Sequence, residues 1–150
     1  GSNDNVYYGS GSGSGDNRKD NTGIGMNTLK SLASGSRNVA VGHDSLTSNT
    51  DGTYNTGVGN ETLYNNTLGS YNSAHGYGSL FSNTSGSNNT AVGGRALIFN
   101  QTGDGNATLG YRSLYANIAG SNNTSIGTQS CQSIQRAGHV CIGSGSARNY

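Results

Sequence analysis

The stretch Asn89-Thr90-Ala91-Val92-Gly93 is one copy of a motif that recurs at every seventeenth position along this chain. Each copy begins with Asn, in most copies passes through a small residue and an aliphatic residue, and ends with Gly. The copies begin at Asn21, Asn38, Asn55, Asn72, Asn89, Asn106 and Asn123. A fixed period of this length is typical of repeat architectures, in which each repeat is one supersecondary unit that stacks on the next. The motif therefore predicts a solenoid.

Two further positions recur with the same period. Four residues after the motif Gly comes a leucine, at Leu29, Leu46, Leu63, Leu80, Leu97 and Leu114, with Cys131 in the seventh copy. Ten residues after the motif Gly comes a second glycine, such as Gly86, and three residues before most of these glycines comes an Asn, such as Asn83. The leucines predict a buried column, and the glycines predict turns. The asparagines suit turn positions or stacked side-chain ladders.

Both ends of the chain carry degenerate copies of the motif, Val6 to Gly9 and Val140 to Gly143, and each is one position closer to its neighbour than the regular period requires. Atypical terminal repeats are expected where a solenoid is capped. We therefore predict a cloning scar or tail at residues 1–4, a degenerate N-terminal repeat at 5–20, seven regular repeats at 21–138, and a degenerate C-terminal repeat at 139–150.

The repeat predicts an all-β fold. No window has a helical period, and Gly and β-branched residues dominate each copy, which excludes a helical repeat. Each period leaves room for two strands of about five residues and two turns. We expect a parallel β-solenoid of about nine coils. Strand alternation predicts an inward aliphatic column that faces the leucines; it consists of Ile24, Val41, Val58, Val92, Leu109, Ile126 and Ile142. The small residues Ala40, Gly57, Ala74 and Ala91 are then expected outside, where another chain could approach.

The motif resembles the head repeats of trimeric autotransporter adhesins, most clearly from Asn89 to Leu97. Similar repeats occur in phage and giant-virus fibre proteins. The resemblance covers nearly the whole chain and implies a left-handed β-roll that assembles into a homotrimer. Adhesin head repeats are typically somewhat shorter than the repeats of this chain, which carries no neck motif, coiled-coil stalk or membrane anchor.

The composition and charge of the chain restrict the functions that can be expected of it. The chain has 8 basic and 7 acidic residues and a formal net charge of +1, without the basic stripe that phosphate neutralisation needs, so no nucleic-acid partner is expected. No apolar run is long enough to predict membrane insertion. His43, His75 and His139 fall at different repeat positions, and the carboxylates share no register. With no hydrolase elbow and no calcium repeat, we expect no metal, no cofactor and no catalysis.

Cys131 and Cys141 are ten residues apart, a spacing that matches no zinc or redox motif. A disulfide that staples the last coils and a pair of buried thiols both remain open. Alternation places the two residues at positions of opposite parity.

We predict a non-catalytic structural and adhesive segment of a surface or virion fibre that is extracellular. Its expected partners are further copies of itself, as a homotrimer, and a host-surface protein or glycan. Candidate contact residues are the outward aromatic side chains Tyr54, Tyr64, Tyr71, Tyr77, Phe81, Tyr111 and Tyr115. The alternative is that these rings pack between chains or shield turns.

Ice binding is a second hypothesis, because flat threonine arrays on a solenoid serve that function. Alternation, however, predicts inward positions for Thr22, Thr56, Thr90 and Thr124. A glycan-active β-helix enzyme is the third hypothesis, and no cluster of acids or bases in the sequence favours it.

Overall fold

The structure is a computed structural model that describes residues 4–13 and 19–147. It contains nine three-residue strands in one parallel sheet, ordered as in the sequence. The strands are β1 (Val6–Tyr8), β2 (Thr22–Ile24), β3 (Val39–Val41), β4 (Thr56–Val58), β5 (Ser73–His75), β6 (Thr90–Val92), β7 (Ala107–Leu109), β8 (Thr124–Ile126) and β9 (Val140–Ile142). The all-β parallel solenoid is confirmed. Residues 1–3 of the predicted tail, residues 14–18 of the predicted N-terminal repeat and residues 148–150 of the last repeat lie outside the described residues.

Each strand pairs with the strand of the next coil at the register that the period predicts. Thr56 pairs with Ser73, its equivalent in the next repeat, whereas the first and last steps, such as Thr124 with Val140, are shorter by one position. Backbone hydrogen bonds between coils continue beyond the strands; for example, the Leu63 N–H donates to the Ser79 carbonyl at 3.1 Å. Most of each coil is thus hydrogen-bonded to its neighbours, which satisfies backbone groups in a chain with short strands.

The leucine column is confirmed, but the second strand predicted around it is wrong. Leu29, Leu46, Leu63, Leu80, Leu97 and Leu114 are all fully buried. Their backbone is left-handed, with φ of 52° at Leu80 and 53° at Leu97, which no β-strand adopts. Such a residue reverses the chain direction within a few positions, so the leucine is directed inward from a turn.

The predicted inward aliphatic column is wrong, because the two faces of every strand are exchanged. Ile24, Val41, Val58, Val92, Leu109, Ile126 and Ile142 point outward and are half-buried or exposed, whereas Ala40, Gly57, Ala74 and Ala91 are buried. The space behind the strand explains the exchange. A Cβ atom at Gly57 would lie only 2.5 Å from Ser45 Oγ and 2.8 Å from Thr62 Oγ1. Only small side chains therefore fit inward in this coil, whereas Tyr7 of β1 packs inward beside Gly23 at the end of the stack.

The interior also contains two buried ladders of asparagine side chains. In the signature ladder, formed by the first residue of each motif, the Asn106 backbone N–H and Nδ2 both donate to Asn89 Oδ1, at 2.9 and 3.0 Å. In the turn ladder, Asn100 Nδ2 donates to Asn83 Oδ1 at 2.9 Å and to the Gly103 carbonyl at 2.9 Å. The core is therefore as much a hydrogen-bond network as an apolar one.

The turn ladder ends where its register changes to an aliphatic residue. Leu32 and Ile134 occupy this register in the coils on either side of the ladder, and both are buried. The Ile134 side chain has no donor to take the place of an Asn Nδ2, and Asn117 Oδ1 is accordingly buried without a partner. The apolar residues close the ladder at both ends.

Cys131 and Cys141 form a disulfide, with their Cα atoms 5.7 Å apart. Both side chains point inward and are buried, so the predicted opposite parity of the two residues is wrong. Cys131 takes the leucine position of one coil, and Cys141 takes the small inward position of the next coil, where it pairs with Ser125. The disulfide therefore links two successive coils covalently.

Candidate functional site

The candidate site is the outer surface of the sheet, which we call the strand face. It consists of the first and third residues of each strand, for instance Thr90 and Val92 of β6 and Thr124 and Ile126 of β8. Side chains in one strand alternate between the two faces, and each column repeats at about 4.8 Å along the stack. The strand face is therefore a regular two-column array along the described coils.

The strand face is mostly aliphatic and lacks Asp, Glu, Lys and Arg from β1 to β9. Leu109 is 51% exposed and Ile126 is 40% exposed. Around them, an open depression is lined by residues of β6, β7 and β8. Single exposed aliphatic residues are ordinary, but a contiguous exposed strip of them marks an interaction surface.

Hydroxyl groups and one imidazole interrupt the aliphatic residues. The predicted inward position of Thr22, Thr56, Thr90 and Thr124 is wrong; these residues occupy the outward column beside the aliphatic one and are half-buried or exposed. His75 of β5 likewise points outward and is half-buried. The exchange of faces that buries the alanines brings the threonines to the surface.

The candidate aromatic residues lie in three separate register columns outside the strands. Tyr54 and Tyr71 precede the motif Asn, and their rings stack with centroids 4.8 Å apart. Tyr77 and Tyr111 follow the motif Gly, at 49% and 46% exposure. The third column follows the leucine and contains Tyr64, Phe81 and Tyr115, of which Tyr64 and Phe81 stack at 5.1 Å. The structure thus stacks two pairs of these rings but does not gather all seven into one patch.

Arginine side chains lie over several of these rings. Arg37 lies 5.1 Å from the Tyr54 ring centroid and donates a hydrogen bond to the Tyr54 hydroxyl. Arg112 lies between two rings, 5.3 Å from the centroid of Tyr111 and 5.1 Å from that of Tyr115. Cation–π contacts of this kind hold the rings in fixed orientations.

The described residues contain few other groups that could bind a metal ion or take part in catalysis. His43 Nδ1 lies 3.0 Å from an Asp44 carboxylate oxygen, but within residues 4–13 and 19–147 no group of three His, Cys, Asp or Glu side chains could hold a metal ion. A hydrogen bond from the Ser34 hydroxyl lowers the pKa of the exposed Asp51 carboxyl. The same part of the chain contains no helix with the length and apolarity required to cross a membrane.

No protein-family model matches this chain, and no curated protein or solved structure shows significant similarity to it. The strand face was missed from the sequence because its aliphatic residues were assigned to the core. The sequence contains one signal of the strand face, which is the recurrence of one Leu and two Asn positions in each repeat. These residues are buried in the structure, and they leave little volume in a coil for a second large side chain.

Proposed function

We propose that this chain is a non-catalytic structural and adhesive segment of a homotrimeric fibre on a cell or virion surface. The observation that carries the proposal is the uncharged aliphatic strand face exposed along the solenoid. Burial of such a strip against an equivalent strip stabilises an assembly by about 25 cal/mol per Å² of apolar surface. The resemblance to adhesin head repeats adds left-handed coils and threefold symmetry to the proposal.

The strand face favours further copies of the same chain as its occupant. Its two columns repeat at the rung spacing of the solenoid, about 4.8 Å. A parallel copy carries the same spacing, so its larger residues, such as Leu109, pack beside smaller ones, such as Ala107, over the whole length. With no charge to pair, the face selects its partner by shape and periodicity.

Replacing Leu109 with Lys is expected to dissociate the trimer. Leu109 points outward, so the substitution leaves the coil interior unchanged, but it places one charge per chain inside the apolar contact. We expect sedimentation velocity to give the trimer mass for the wild-type chain and at least tenfold weaker association for Leu109→Lys. Leu68→Lys is the matched control, because Leu68 is 58% exposed and lies outside the strand face. A wild-type chain that sediments as a monomer at all concentrations would contradict the trimer.

Adhesion is assigned to the outward aromatic residues, which lie outside the strand face. Asn occupies the register of Tyr54 and Tyr71 at Asn88 and Asn122, with the same left-handed φ of 58°. The double variant Tyr54→Asn and Tyr71→Asn should therefore fold and assemble, yet bind a panel of cultured cells and immobilised matrix protein roughly tenfold more weakly. Equal binding by both proteins would remove these rings from the adhesive surface.

Ice binding is a second candidate function, and the outward threonines favour it. Thr56, Thr90 and Thr124 lie in one outward column next to aliphatic residues on a regular sheet. A periodic lattice of water could match that array just as a second chain does. Freezing-point hysteresis separates the two functions: the fibre proposal expects none at any chain concentration, and hysteresis that Thr90→Lys abolishes would establish ice binding instead.

A further inference from the structure

One register column of the solenoid contains a gap. In the seven regular repeats, the residues two positions after the motif Gly have left-handed backbone and lie between two aromatic columns; they are Asn27, Asp44, Glu61, Gly78, Arg95, Arg112 and Gln129. Within this set only Gly78 lacks a side chain. The coil that contains Gly78 therefore has an opening where its neighbours carry a side chain.

The gap forms a pit, which we call the Gly78 pit, lined by Glu61, Tyr77, Gly78, Phe81, Arg95 and Ile98. A Cβ atom at Gly78 would meet only Ile98 Cδ1 at 3.8 Å and Arg95 Cγ at 3.9 Å, which are ordinary contacts. The pit has a volume of about 170 Å³. Pockets for drug-sized ligands enclose about 300–1000 Å³, so this one fits a single small ring.

The pit has aromatic walls and charged rims. Tyr77 and Phe81 both line the pit. The Arg95 guanidinium carbon lies 5.7 Å from the Tyr77 ring centroid, and Phe81 stacks on Tyr64. Glu61 and Arg95 belong to coils two rungs apart, or about 10 Å along the stack. Of the ion pairs that the described residues form, none involves either of them.

The equivalent position two coils further on is occupied. Arg112 fills the register of Gly78 there and lies within 5.3 Å of the Tyr111 ring centroid. The groove between the aromatic columns is thus closed by a side chain at Arg112 and open at Gly78. The openness of the pit follows from one residue and not from the general shape of the solenoid.

We propose that the Gly78 pit binds one neutral hexopyranose unit of a surface glycan, which rests on and deepens the proposed adhesive function. The polarised C–H groups on one face of a pyranose contact the negative π face of Tyr77. Hydroxyl groups at opposite edges of the ring accept from Arg95 and donate to Glu61. The guanidinium and carboxylate cancel in net charge, which favours a neutral sugar over an acidic one.

An apolar side chain from another chain fits the pit less well. It would desolvate Glu61 and Arg95 without giving either a hydrogen-bond partner, which carries a free-energy cost. A sugar ring carries hydroxyl groups that form hydrogen bonds with both Glu61 and Arg95. The pit also lies outside the strand face, so it stays open when strand faces associate.

A side chain introduced at position 78 would fill the pit, so such a variant tests the proposed sugar binding. Gly78→Asn introduces the side chain found at Asn27, which has the left-handed φ of 57° that this column requires. Gly145→Asn is the matched control at the same register of the last coil, where φ is 65°. Saturation-transfer NMR with the methyl glycosides of glucose, galactose and mannose is expected to show a dissociation constant on the order of 1 mM for at least one of them. We expect Gly78→Asn to weaken that binding at least tenfold, Arg95→Gln to weaken it several-fold, and Gly145→Asn to leave it unchanged.

Two results would overturn the sugar site. The first is that none of the three glycosides shows saturable binding to the chain, and the second is that the wild-type chain and Gly78→Asn bind them equally. A Gly78→Asn variant that changes sedimentation and not sugar binding would assign the pit to a contact between chains. Monosaccharide titration does not depend on assembly. A monomeric chain that still binds sugar would therefore remove the fibre proposal and leave the Gly78 pit in place.

Discussion

Replacing Leu80 with Ala is expected to lower the free energy of unfolding by about 2–5 kcal/mol. Leu80 is fully buried and lies at the middle of the leucine column, between Leu63 and Leu97. Its loss leaves a cavity that the neighbouring coils cannot close, because backbone hydrogen bonds fix the spacing between them, such as that from the Leu80 N–H to the Ala96 carbonyl. Alanine keeps the same Cβ, so the left-handed backbone at this position adds no new strain.

Chemical denaturation followed by circular dichroism measures this loss, and Leu68→Ala is its matched control. Leu68 is 58% exposed and belongs to no buried column, so the same truncation should cost less than about 0.5 kcal/mol. Stability in a solenoid depends on contacts between neighbouring repeats. A substitution at the centre therefore weakens two interfaces at once. Equal stability of the two variants would mean that the leucine column does not carry the fold.

The positions of the coils could be predicted from the sequence, because a strict period fixes equivalent residues without any energetic argument. Thr90, Ala91 and Val92 form a strand where the motif indicates one. Which face turns inward could not be predicted from alternation alone. Alternation separates Ala91 from the other two residues, and ordinary hydrophobic preference then selects Val92 as the buried one. The outcome depends instead on the volume left beside Leu97 and Ala96, which only the folded coil defines.

The turn at the leucine was missed for a related reason. Leucine rarely adopts a left-handed backbone, so propensity favours an extended segment around Leu97. Burial of the side chain and the bond from its N–H to the Ser113 carbonyl at 2.9 Å offset that cost. The assignment of a second strand followed propensity where tertiary contacts decide.

The candidate site was only partly predictable. The aromatic residues were identifiable as outward because they fall between the buried positions, and Tyr54 and Tyr71 are indeed exposed. Their division into separate columns follows from register, which the sequence contains. The position of the Gly78 pit can also be read from the sequence, because Gly78 is a glycine at a repeat position where the other regular repeats carry a side chain. Its walls required the structure, since Phe81 and Ile98 come from different coils.

Replacing Asn89 with Ala is expected to cost about 3 kcal/mol or more, although the residue is polar and lies in the interior. Asn89 Oδ1 accepts the Asn106 backbone N–H at 2.9 Å, and Asn89 Nδ2 donates to the Gly103 carbonyl at 2.8 Å. Truncation leaves the buried Asn106 N–H without its partner, at about 1–3 kcal/mol, and removes further hydrogen bonds worth about 0.5–1.5 kcal/mol each.

Hydrogen exchange locates this effect. The Asn106 amide should exchange much faster in Asn89→Ala, whereas the amides of distant coils should change only through the loss of global stability. Asn65→Ala is the matched control, because Asn65 is half-buried and its side chain forms no hydrogen bond with the described residues. A loss below about 1 kcal/mol for Asn89→Ala would show that water replaces the amide in the ladder. The buried asparagines would then serve mainly to align successive coils, and the leucine column and the backbone hydrogen bonds between coils would hold the stack together.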